Sequence, residues 1–529
     1  MSTFDDDIIS GSILKSVWKV AWPVVITQLV AGIHGLVDHI LVGNHVGFAA
    51  QAGIGVSWQL FLVVLVFLSS LFHGMNIHIA RYTGKRDSEA VNLVFFETFK
   101  ASLYAFMFIV APVGYILAPY LLDLINAEAK VQVYALPYLR MMFTMTLPLF
   151  IIFLLNGAFQ SVGNPKIPLY FGILTTLVKI LVSYLLITGV GPFPEMGVMG
   201  AAIGTCIGPL PSVFMAIYLV YKRKMIIGFP DKLSFVPDMS VIKSVLSLGI
   251  PAGIQAVLLN IGGVILLYYI GSLQFSAEAQ AAYTICYSQL FNCVTWAGFG
   301  LRAACATVIG QNIGADKIER GIHGVNIGAI MGGAWAAFFG IFYWTMPITL
   351  LSIFGLPNMA EQENIVAMMP AIESLGQSGF MPDVYAISLL EHWQNEIKVV
   401  ELGASILHFL SFSGIFVVVG LAYTGGLQGA GDTKAPMKAA FVSQIIVLLG
   451  ICFVFVAFCA RAARRNLLLH CIPFCLESFL LSLFLRARST KNLFTLLYAF
   501  CLESVLLYPF FARATRRKFI LYFIVRLFA

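Results

Sequence analysis

Long apolar runs separated by short polar segments dominate the chain. Each run is about 20 residues long or longer, which is the length that an α-helix needs to cross a bilayer. The pattern therefore predicts an all-α polytopic membrane protein with about twelve transmembrane helices. The predicted spans are roughly 14–42, 53–79, 94–125, 134–158, 168–189, 197–221, 242–271, 280–310, 322–354, 403–427 and 436–457, with further apolar runs in the tail.

Composition agrees with this pattern. Of the 529 residues, 60% are hydrophobic and 11% are charged, and the mean hydropathy is +0.90. A soluble protein of this length needs a more polar surface than such a composition supplies. We therefore expect a multi-pass protein of the cell membrane whose main partner is the lipid bilayer.

Basic residues lie in alternate connections between the predicted spans. The remaining connections are nearly free of them, with Lys130 as the main exception in the first half. By the positive-inside rule, the basic connections and the amino terminus, with Lys15 and Lys19, face the cytoplasm. The basic set contains Arg81, Lys85, Arg86, Lys166, Lys222, Arg223, Lys224, Lys232, Lys317, Arg320 and Lys434.

Several motifs occur twice. The stretch "LNGAFQSVGNPKIP" (155–168) repeats the Gly, Gln, Gly, Lys and Pro spacing of "YTGGLQGAGDTKAP" (423–436). Two more pairs are "SVWKVAWPVVITQL" with "SVLSLGIPAGIQAV", which aligns Pro23 with Pro251, and "IARYTGKRD" with "IGQNIGADK". The chain therefore reads as two copies of a six-helix unit.

The two copies define a domain organisation. Because each copy has an even number of spans, both insert in the same orientation, which predicts two six-helix bundles related by a pseudo-two-fold axis along the membrane normal. Pro23 and Pro251 are candidate hinges. We predict an amino-terminal lobe at 1–221, a cytoplasmic linker at 222–240, a carboxyl-terminal lobe at 241–458 and an atypical tail at 459–529.

The second copy carries an insertion of about 38 residues near 357–398, since the motif offset increases from 230 to 268. This stretch is acidic and lies on the predicted outer side. We expect a solvated loop or amphipathic cap, with a gate over an outer cavity as the alternative.

The repeated Gly-Gln-Gly-Lys-Pro segment is predicted to be a turn between two helices. Its glycines permit close helix approach, and Pro168 and Pro436 suit the first turn of the next helix. We expect Gln160 and Gln428 to bond helix-end carbonyl groups. The segment is therefore interpreted as structural, with a hinge role as the alternative.

From about Ile13 to Gly450, these motifs resemble the multidrug and toxic compound extrusion (MATE) family. The resemblance rests on "GLVDHILVG", "ARYTGKRD", "NGAFQSVGNPKIP", "GPFPEMGVMGAAIGT" and "GGLQGAGDTKAP", in this order across the two repeats, and on the aligned prolines. It implies a twelve-helix secondary antiporter that exports organic, often cationic, compounds in exchange for sodium ions or protons. No Gly-Lys-Ser/Thr phosphate-binding motif occurs, and we expect no cofactor and no enzymatic activity.

Asp38 lies deep in the first apolar run. An ionisable group there is costly, which makes it a candidate functional residue. When it takes up a proton or coordinates sodium, the carboxylate is neutralised, which biases the side to which a cavity opens. Asp38 also matches the helix 1 aspartate that carries cation coupling in the MATE family. A structural hydrogen-bond anchor is the alternative.

The resemblance implies polar partners for Asp38 in the same lobe. Asn156 and Thr205 match the family pattern, whereas Lys179 and Ser183 replace its Asn and Asp. Lys179 is expected to pair with Asp38 or to take the place of a bound sodium ion. Facing a water-filled cavity, or reaching the membrane surface, is the alternative.

The second lobe lacks the acid that some sodium-coupled members have after the helix 7 proline. Its polar residues are predicted to line a substrate cavity, with interhelical hydrogen bonding as the alternative. Arg302 either repels cations or marks a cytoplasmic helix end. The candidate cavity residues are Gln255, Asn260, Gln289 and Asn292.

The tail differs from the rest of the chain. No glycine follows Gly450, and the net charge of the chain, +7, comes from the tail, so it does not indicate a nucleic-acid partner. We interpret the tail as a diverged or frame-altered end, or else as a basic segment that binds anionic lipid.

Two other functions compete with cation-coupled export by a monomeric carrier. A flippase for lipid-linked glycans or similar amphiphiles would use cationic cavity residues, for which Lys179 and Arg302 are weak signals. A non-transporting remnant is the other alternative, because the tail departs from the family pattern. An intramembrane enzyme is not favoured, since no paired acids or metal-binding motif occurs.

Overall fold

The structure is a computed structural model that describes residues 6–447, except 47, 125–128, 223–225, 229–233, 235, 272–275, 355 and 378–382. The described residues are almost entirely helical, and no strand occurs among them. The all-α prediction is therefore confirmed. The predicted tail at 459–529 lies outside the described residues, as does the second half of the last predicted span.

Eighteen helices are described, and three of them continue into π-helical turns at Phe106–Val110, Thr284–Leu290 and Val442–Val447. They are α1 (Asp6–Ser10), α2 (Ile13–His45), α3 (Phe48–Gly84), α4 (Ser88–Ala105), α5 (Ala111–Leu124), α6 (Ala129–Met145), α7 (Leu147–Ser161), α8 (Lys166–Thr188), α9 (Val198–Ile207), α10 (Leu210–Tyr221), α11 (Met239–Gly271), α12 (Ser276–Tyr283), α13 (Asn292–Gly314), α14 (Ile318–Thr345), α15 (Pro347–Ser352), α16 (Met359–Gln377), α17 (Asp383–Gly429) and α18 (Lys434–Phe441).

Many of these helices are long and apolar enough to cross a membrane. Eight such spans occur among the described residues, and α6 and α7 make a ninth if this pair, bent by 51°, counts as one. The bend follows from Pro148 at the start of α7, because proline cannot continue the hydrogen-bond ladder of the preceding helix. Each of these spans overlaps a predicted one, and α3 covers the predicted span at 53–79, so the polytopic all-α fold is confirmed.

Local sequence signals set several helix ends. The Asp87 side chain accepts a hydrogen bond from the Ala90 amide at 2.9 Å and so caps the start of α4. Gly189 ends α8 with φ at +67°, a left-handed conformation that glycine adopts without a steric penalty. The end of α8 agrees with the predicted span, which ended at 189, whereas α4 begins six residues before the predicted start at 94.

Contacts divide the chain into two compact units. The first contains residues from both sequence copies. The predicted lobe boundaries at 221 and 241 stay a prediction. The first unit comprises Met1–Val257, Trp296–Ile330 and Leu421–Met437, and the second comprises Leu258–Thr295, Met331–Gly420 and Lys438–Ala529.

Aromatic packing fills the core of the first unit. Phe61 lies 5.8 Å from Phe143 and 6.1 Å from Phe150 between ring centroids, and Phe106 lies 5.0 Å from Phe150. Lipid chains are as apolar as these side chains, so helices in a bilayer are held together by close packing and hydrogen bonds rather than by water exclusion. Interlocking rings and close glycine contacts are therefore the main stabilising features.

The predicted linker at 222–240 is fixed to α4 by a buried ion pair. Lys100 Nζ lies 2.7 Å from Glu97 Oε1 and donates to the carbonyl oxygens of Ser234 and Val236 at 2.8 and 3.0 Å. Glu97 Oε2 accepts from the Asp238 amide at 2.6 Å. Both charges are thereby hydrogen bonded in several directions, which a buried ion pair requires. The start of the second copy is thus tied to the first copy.

The predicted insertion forms α16 and the first part of α17. At the start of α16, Asn358 and Glu361 cap each other, with amide-to-side-chain distances of 2.9 and 3.0 Å. Ile372 is buried, whereas most other described side chains of α16 are exposed. The insertion is therefore a pair of helical segments rather than an irregular loop.

Candidate functional site

The first copy carries four of the predicted polar residues on neighbouring helices of the first unit, and we refer to them as the first-copy cluster. Lys179 and Ser183 lie on α8 and are 2% and 0% exposed, and Thr205 on α9 is 2% exposed. The helix α8 packs against α9 and α7, and α7 carries Asn156. The structure thus places four of the predicted coupling residues on three adjoining helices.

Close approach of α8 and α9 creates this cluster. A Cβ atom at Gly208 would lie 2.7 Å from Lys179 Cβ, and one at Gly204 would overlap Ser183 Oγ. Only glycine fits such a crossing without displacing the neighbouring helix. The spacing of glycines in "GAAIGTCIG" is the sequence signal for this contact.

Two oxygen atoms in the cluster have no hydrogen-bond partner among the described residues. They are Asn156 Oδ1 and Ser183 Oγ, and both are fully shielded. Thr205 Oγ1, in contrast, donates to the Ala201 carbonyl at 3.0 Å. Buried polar atoms are almost always satisfied, so each of these shielded oxygens in a membrane helix bundle is a candidate partner for a water molecule or a cation.

A further oxygen was missed by the sequence reasoning. Asn76 on α3 also has an unsatisfied Oδ1, and a Cβ atom at Gly157 would lie 2.6 Å from it. Gly157 directly follows Asn156 on α7. Asn76 is not part of any motif quoted above, and only the packing of α3 against α7 brings it close to this stretch.

Asp38 belongs to α2, which packs along α8. Its side chain lies outside the described residues. The helix that carries the predicted coupling carboxylate is therefore next to the helix that carries Lys179 and Ser183. Pro23 lies inside the same helix, as Pro251 lies inside α11, and the hinge role of both stays a prediction.

In the second copy, a chain of hydrogen bonds joins three helices. Arg302 on α13 donates through Nε and Nη2 to Gln428 Oε1 on α17 at 3.1 and 2.9 Å. Gln428 Nε2 donates to Gln255 Oε1 on α11 at 2.8 Å. Gln428 thus bonds side chains, and the expectation that it bonds helix-end carbonyls is wrong. Gln255 is 1% exposed and belongs to this network.

The other candidate cavity residues belong to the second unit. Asn260 on α11 and Gln289 in a π-helical turn are exposed. Asn292 is half-buried, and its Oδ1 accepts from Thr295 Oγ1 at 3.3 Å. Their role as cavity-lining residues stays a prediction.

The repeated motifs contact each other reciprocally in the first unit. Arg81 of the first copy donates to the carbonyl of Ala430, in the second-copy turn. Gln311, which aligns with Arg81, donates to the Ser161 carbonyl at the first-copy turn, at 2.7 Å. Residues of α3 and α13 therefore cap the helix ends, a role that the sequence assigned to Gln160 and Gln428.

Glycines make this exchange possible. A Cβ atom at Gly84 would overlap the carbonyl oxygen of Gln311, and one at Gly314 would overlap that of Arg81. These glycines occupy matching positions in the two copies, so α3 and α13 meet backbone to backbone. The shared spacing of the two motifs is thus explained by a mutual contact.

A repeated, all-α helical bundle with many apolar spans defines a multi-pass membrane protein. The chain belongs to the MatE family, since the MatE model matches residues 23–185 and 251–372, more than half of the chain.

Curated relatives and solved structures agree with this assignment. A probable multidrug resistance protein NorM from Thermotoga maritima is 23% identical over 84% of this chain and 86% of its own length. A solved MATE structure in the bent conformation has a TM-score of 0.70 at 17% identity, covering 86% of this chain and 91% of that chain. A MOP superfamily transporter from Pyrococcus furiosus has a TM-score of 0.71 at 16% identity, covering 97% and 98%. At these identities the structural likeness shows the fold.

Proposed function

We propose that this chain is a secondary antiporter that exports organic cations in exchange for protons or sodium ions by alternating access. Family membership supports transport, and relatives such as the Thermotoga maritima protein are named as probable multidrug resistance proteins. The observation that carries the proposal is the buried cluster of the first copy. Ser183, one of its two residues with an unsatisfied oxygen, lies on α8, which packs against the helix that bears Asp38.

Each residue of the cluster has an assigned role. Asp38 takes up the proton or sodium ion, and Asn156, Ser183 and Thr205 supply oxygen atoms around it. Lys179 is the tethered cation, which neutralises Asp38 when the ion is absent. Such compensation is needed because an isolated charge in a bilayer is costly.

Substrate contact is assigned to the second copy. Asn260 and Gln289 have exposed side chains, and Asn292 is half-buried at the start of α13. Gln255 contributes indirectly, because it holds Gln428 and Arg302 in place. The carrier is proposed to act as a monomer in the plasma membrane with its amino terminus in the cytoplasm.

The proposed exchange is tested by counterflow in membrane vesicles. We expect ethidium addition to move protons, detected with a pH-sensitive dye, or to depend on an imposed sodium gradient. In Asp38→Asn the counterflow should be lost, because an amide cannot alternate between a charged and a neutral form. The dye and the sodium gradient together identify the coupling ion.

Asp123→Asn is the matched control, because Asp123 is an exposed carboxylate at the end of α5. It should leave counterflow intact. Counterflow that survives in Asp38→Asn would place the coupling elsewhere. The buried Lys179 favours a flippase for anionic amphiphiles as the second candidate. Flipping of a fluorescent phospholipid analogue without any ethidium counterflow would select it.

A further inference from the structure

The first helix of the chain is a short segment that is bound to the second sequence copy. In α1, Ile8 and Ile9 are 0% and 7% exposed. A helix of five residues is not stable by itself, because the cost of nucleation exceeds what one turn of hydrogen bonds returns. Contacts with the rest of the first unit must therefore hold α1 in place.

Those contacts are hydrogen bonds to the carbonyl groups at the end of α1. Arg320 Nη2 donates to the Gly11 carbonyl at 2.6 Å and to the Ile8 carbonyl at 3.3 Å. Lys317 Nζ donates to the Ile9 carbonyl at 3.2 Å, and Asn312 Nδ2 donates to the Ile8 carbonyl at 3.3 Å. The last carbonyls of a helix are unpaired and carry partial negative charge, so cationic donors are their best partners.

The other side of α1 is joined to the first copy. Ser16 Oγ, on α2, donates to the Asp7 carbonyl at 2.6 Å, and Lys19 Nζ lies 2.9 Å from Asp7 Oδ2. The α1 segment therefore links α2 of the first copy to the turn between α13 and α14 of the second copy. It acts as a bridge between the two sequence copies.

The last residues of α13, just before this turn, contact α3 and α7 of the first copy. Gln311 bonds Ser161, and Gly314 abuts Arg81, only a few residues before Lys317 and Arg320. Residues from α1, α3 and α7 thus all meet the segment 311–320 at one end of the first unit. If the two copies separate at this end, these contacts break together.

The bridge has a counterpart at the start of the other copy, where Lys100 of α4 donates to the carbonyl oxygens of Ser234 and Val236, just before α11. The positions that align with Lys317 and Arg320 at an offset of 230 are Asp87 and Ala90. Asp87 caps its own helix through the Ala90 amide. Both copies therefore hold the segment before their first long helix through its carbonyl groups, but the cations that do so stand at different aligned positions, Lys100 in one case and Lys317 and Arg320 in the other.

We propose that α1 is a latch that holds this end of the carrier closed during the transport cycle. Lys317 and Arg320 hold the latch through the α1 carbonyls, and the latch opens when the two copies part. The inference rests on the proposed alternating access. A ligand or mutation shifts a conformational equilibrium only by its differential interaction with the two states, so removal of bonds made in the closed state favours the open one.

The test measures access to a buried position at the closed end. Thr83 on α3 is 2% exposed, and Thr83→Cys in a background with the nine native cysteines replaced provides a reporter. Labelling with a membrane-impermeant maleimide is followed in right-side-out and inside-out vesicles. In Lys317→Gln/Arg320→Gln we expect labelling from one side to be about tenfold faster, since hydrogen bonds to charged groups are lost.

The matched control is Lys85→Gln/Lys434→Gln, which removes two exposed charges near the same repeated motifs. It should leave the labelling rate unchanged. Deletion of residues 2–11 is the second variant, because it removes the latch without altering α13 or α14, and it should reproduce the faster labelling. Monodispersity in detergent shows that each variant is folded.

The outcomes separate the latch from the proposed function. Unchanged labelling in both latch variants, with ethidium counterflow present in the parent protein, would overturn the latch and leave the antiporter standing. Faster labelling together with no counterflow in the parent protein would support the latch and refute the antiporter. Equal acceleration in the Lys85/Lys434 control would show a general effect of charge and would also overturn the latch.

Discussion

One polar network of the second copy and one polar cluster of the first copy differ in how their buried groups are satisfied. In the second copy, Arg302, Gln428 and Gln255 form a continuous chain of hydrogen bonds. In the first copy, Asn156 Oδ1 and Ser183 Oγ have no partner among the described residues. Gln160, which aligns with Gln428, is half-buried and makes no side-chain hydrogen bond within the described structure.

This difference distinguishes a hydrogen-bonded network that holds helices together from a group of oxygens that can bind a ligand. A closed hydrogen-bond chain fixes the helices that it joins, because each member would lose its partner if the helices moved. Unsatisfied buried oxygens do the opposite, since they stabilise nothing until a ligand reaches them. The second copy is therefore expected to contribute rigidity through this network, and the first copy to contribute the ion site.

The largest effect on stability should follow from breaking the closed chain. Gln428→Ala leaves both the Arg302 guanidinium and the Gln255 amide without this partner. We expect the free energy of unfolding to fall by about 3 kcal/mol, near the upper range for buried hydrogen bonds to a charged group. Unfolding by SDS in mixed micelles measures it.

Gln160→Ala is the control, because it makes the same change at the aligned position of the first copy. Its expected effect is about 0.5 kcal/mol or less, as is usual for a side chain that makes no specific contact. Equal losses for Gln160→Ala and Gln428→Ala would remove the distinction between the copies.

The repeat and the membrane spans could be predicted from the sequence because both depend on local patterns of residues. Apolar length predicted the helices, and the duplicated "GNPKIP" and "GDTKAP" segments predicted matching turns. Gly189 and Asp87 are helix-end signals that act within a few residues. Such signals depend only on neighbouring residues, so they can be recognised in the sequence without knowledge of the tertiary fold.

The exchanged contacts could not be predicted in the same way. Arg81 and Ala430 are 349 residues apart, and no local sequence signal predicts that they form a hydrogen bond. The sequence therefore assigned the helix-end carbonyls to nearby Gln160 and Gln428, although Arg81 and Gln311 bind them. The same limit explains why Asn76 was missed, since its relevance depends on the packing of α3 against α7.

The open cluster of the first copy is probed by Ser183→Ala. Because the hydroxyl oxygen has no described partner, its removal should change the free energy of unfolding by about 0.5 kcal/mol or less. Counterflow, in contrast, should weaken, since one oxygen of the proposed ion site is lost. Stability and transport are therefore expected to respond separately, as measured by SDS unfolding and by the vesicle assay.

Ser212→Ala is a matched control within the same copy. Ser212 is also 0% exposed, but its hydroxyl accepts from Thr175 Oγ1 at 2.9 Å and donates to the Phe171 carbonyl at 3.0 Å. Its removal should cost about 1–2 kcal/mol, because two buried groups lose a partner. A loss of stability in Ser183→Ala as large as that in Ser212→Ala would show that Ser183 is bonded and would contradict its assignment to an open site.

The smallest effect concerns how the first helix of each copy begins. Before α11, Asp238 Oδ1 accepts from the Ser240 hydroxyl at 2.6 Å and from the Ser240 amide at 2.8 Å, whereas Ser12 makes no side-chain cap at the start of α2. The hydrogen bond from the Ser240 side chain is the main cause that holds the pKa of Asp238 below its usual value. A lowered pKa in the folded state means that the carboxylate stabilises the fold at neutral pH, and that this contribution is lost as the pH falls through the folded pKa.

Asp238→Asn should therefore flatten a shallow decline in thermal stability below about pH 4, since Asp titrates near there. Ser12→Ala should leave the decline unchanged, and an identical decline in Asp238→Asn would assign it to other carboxylates.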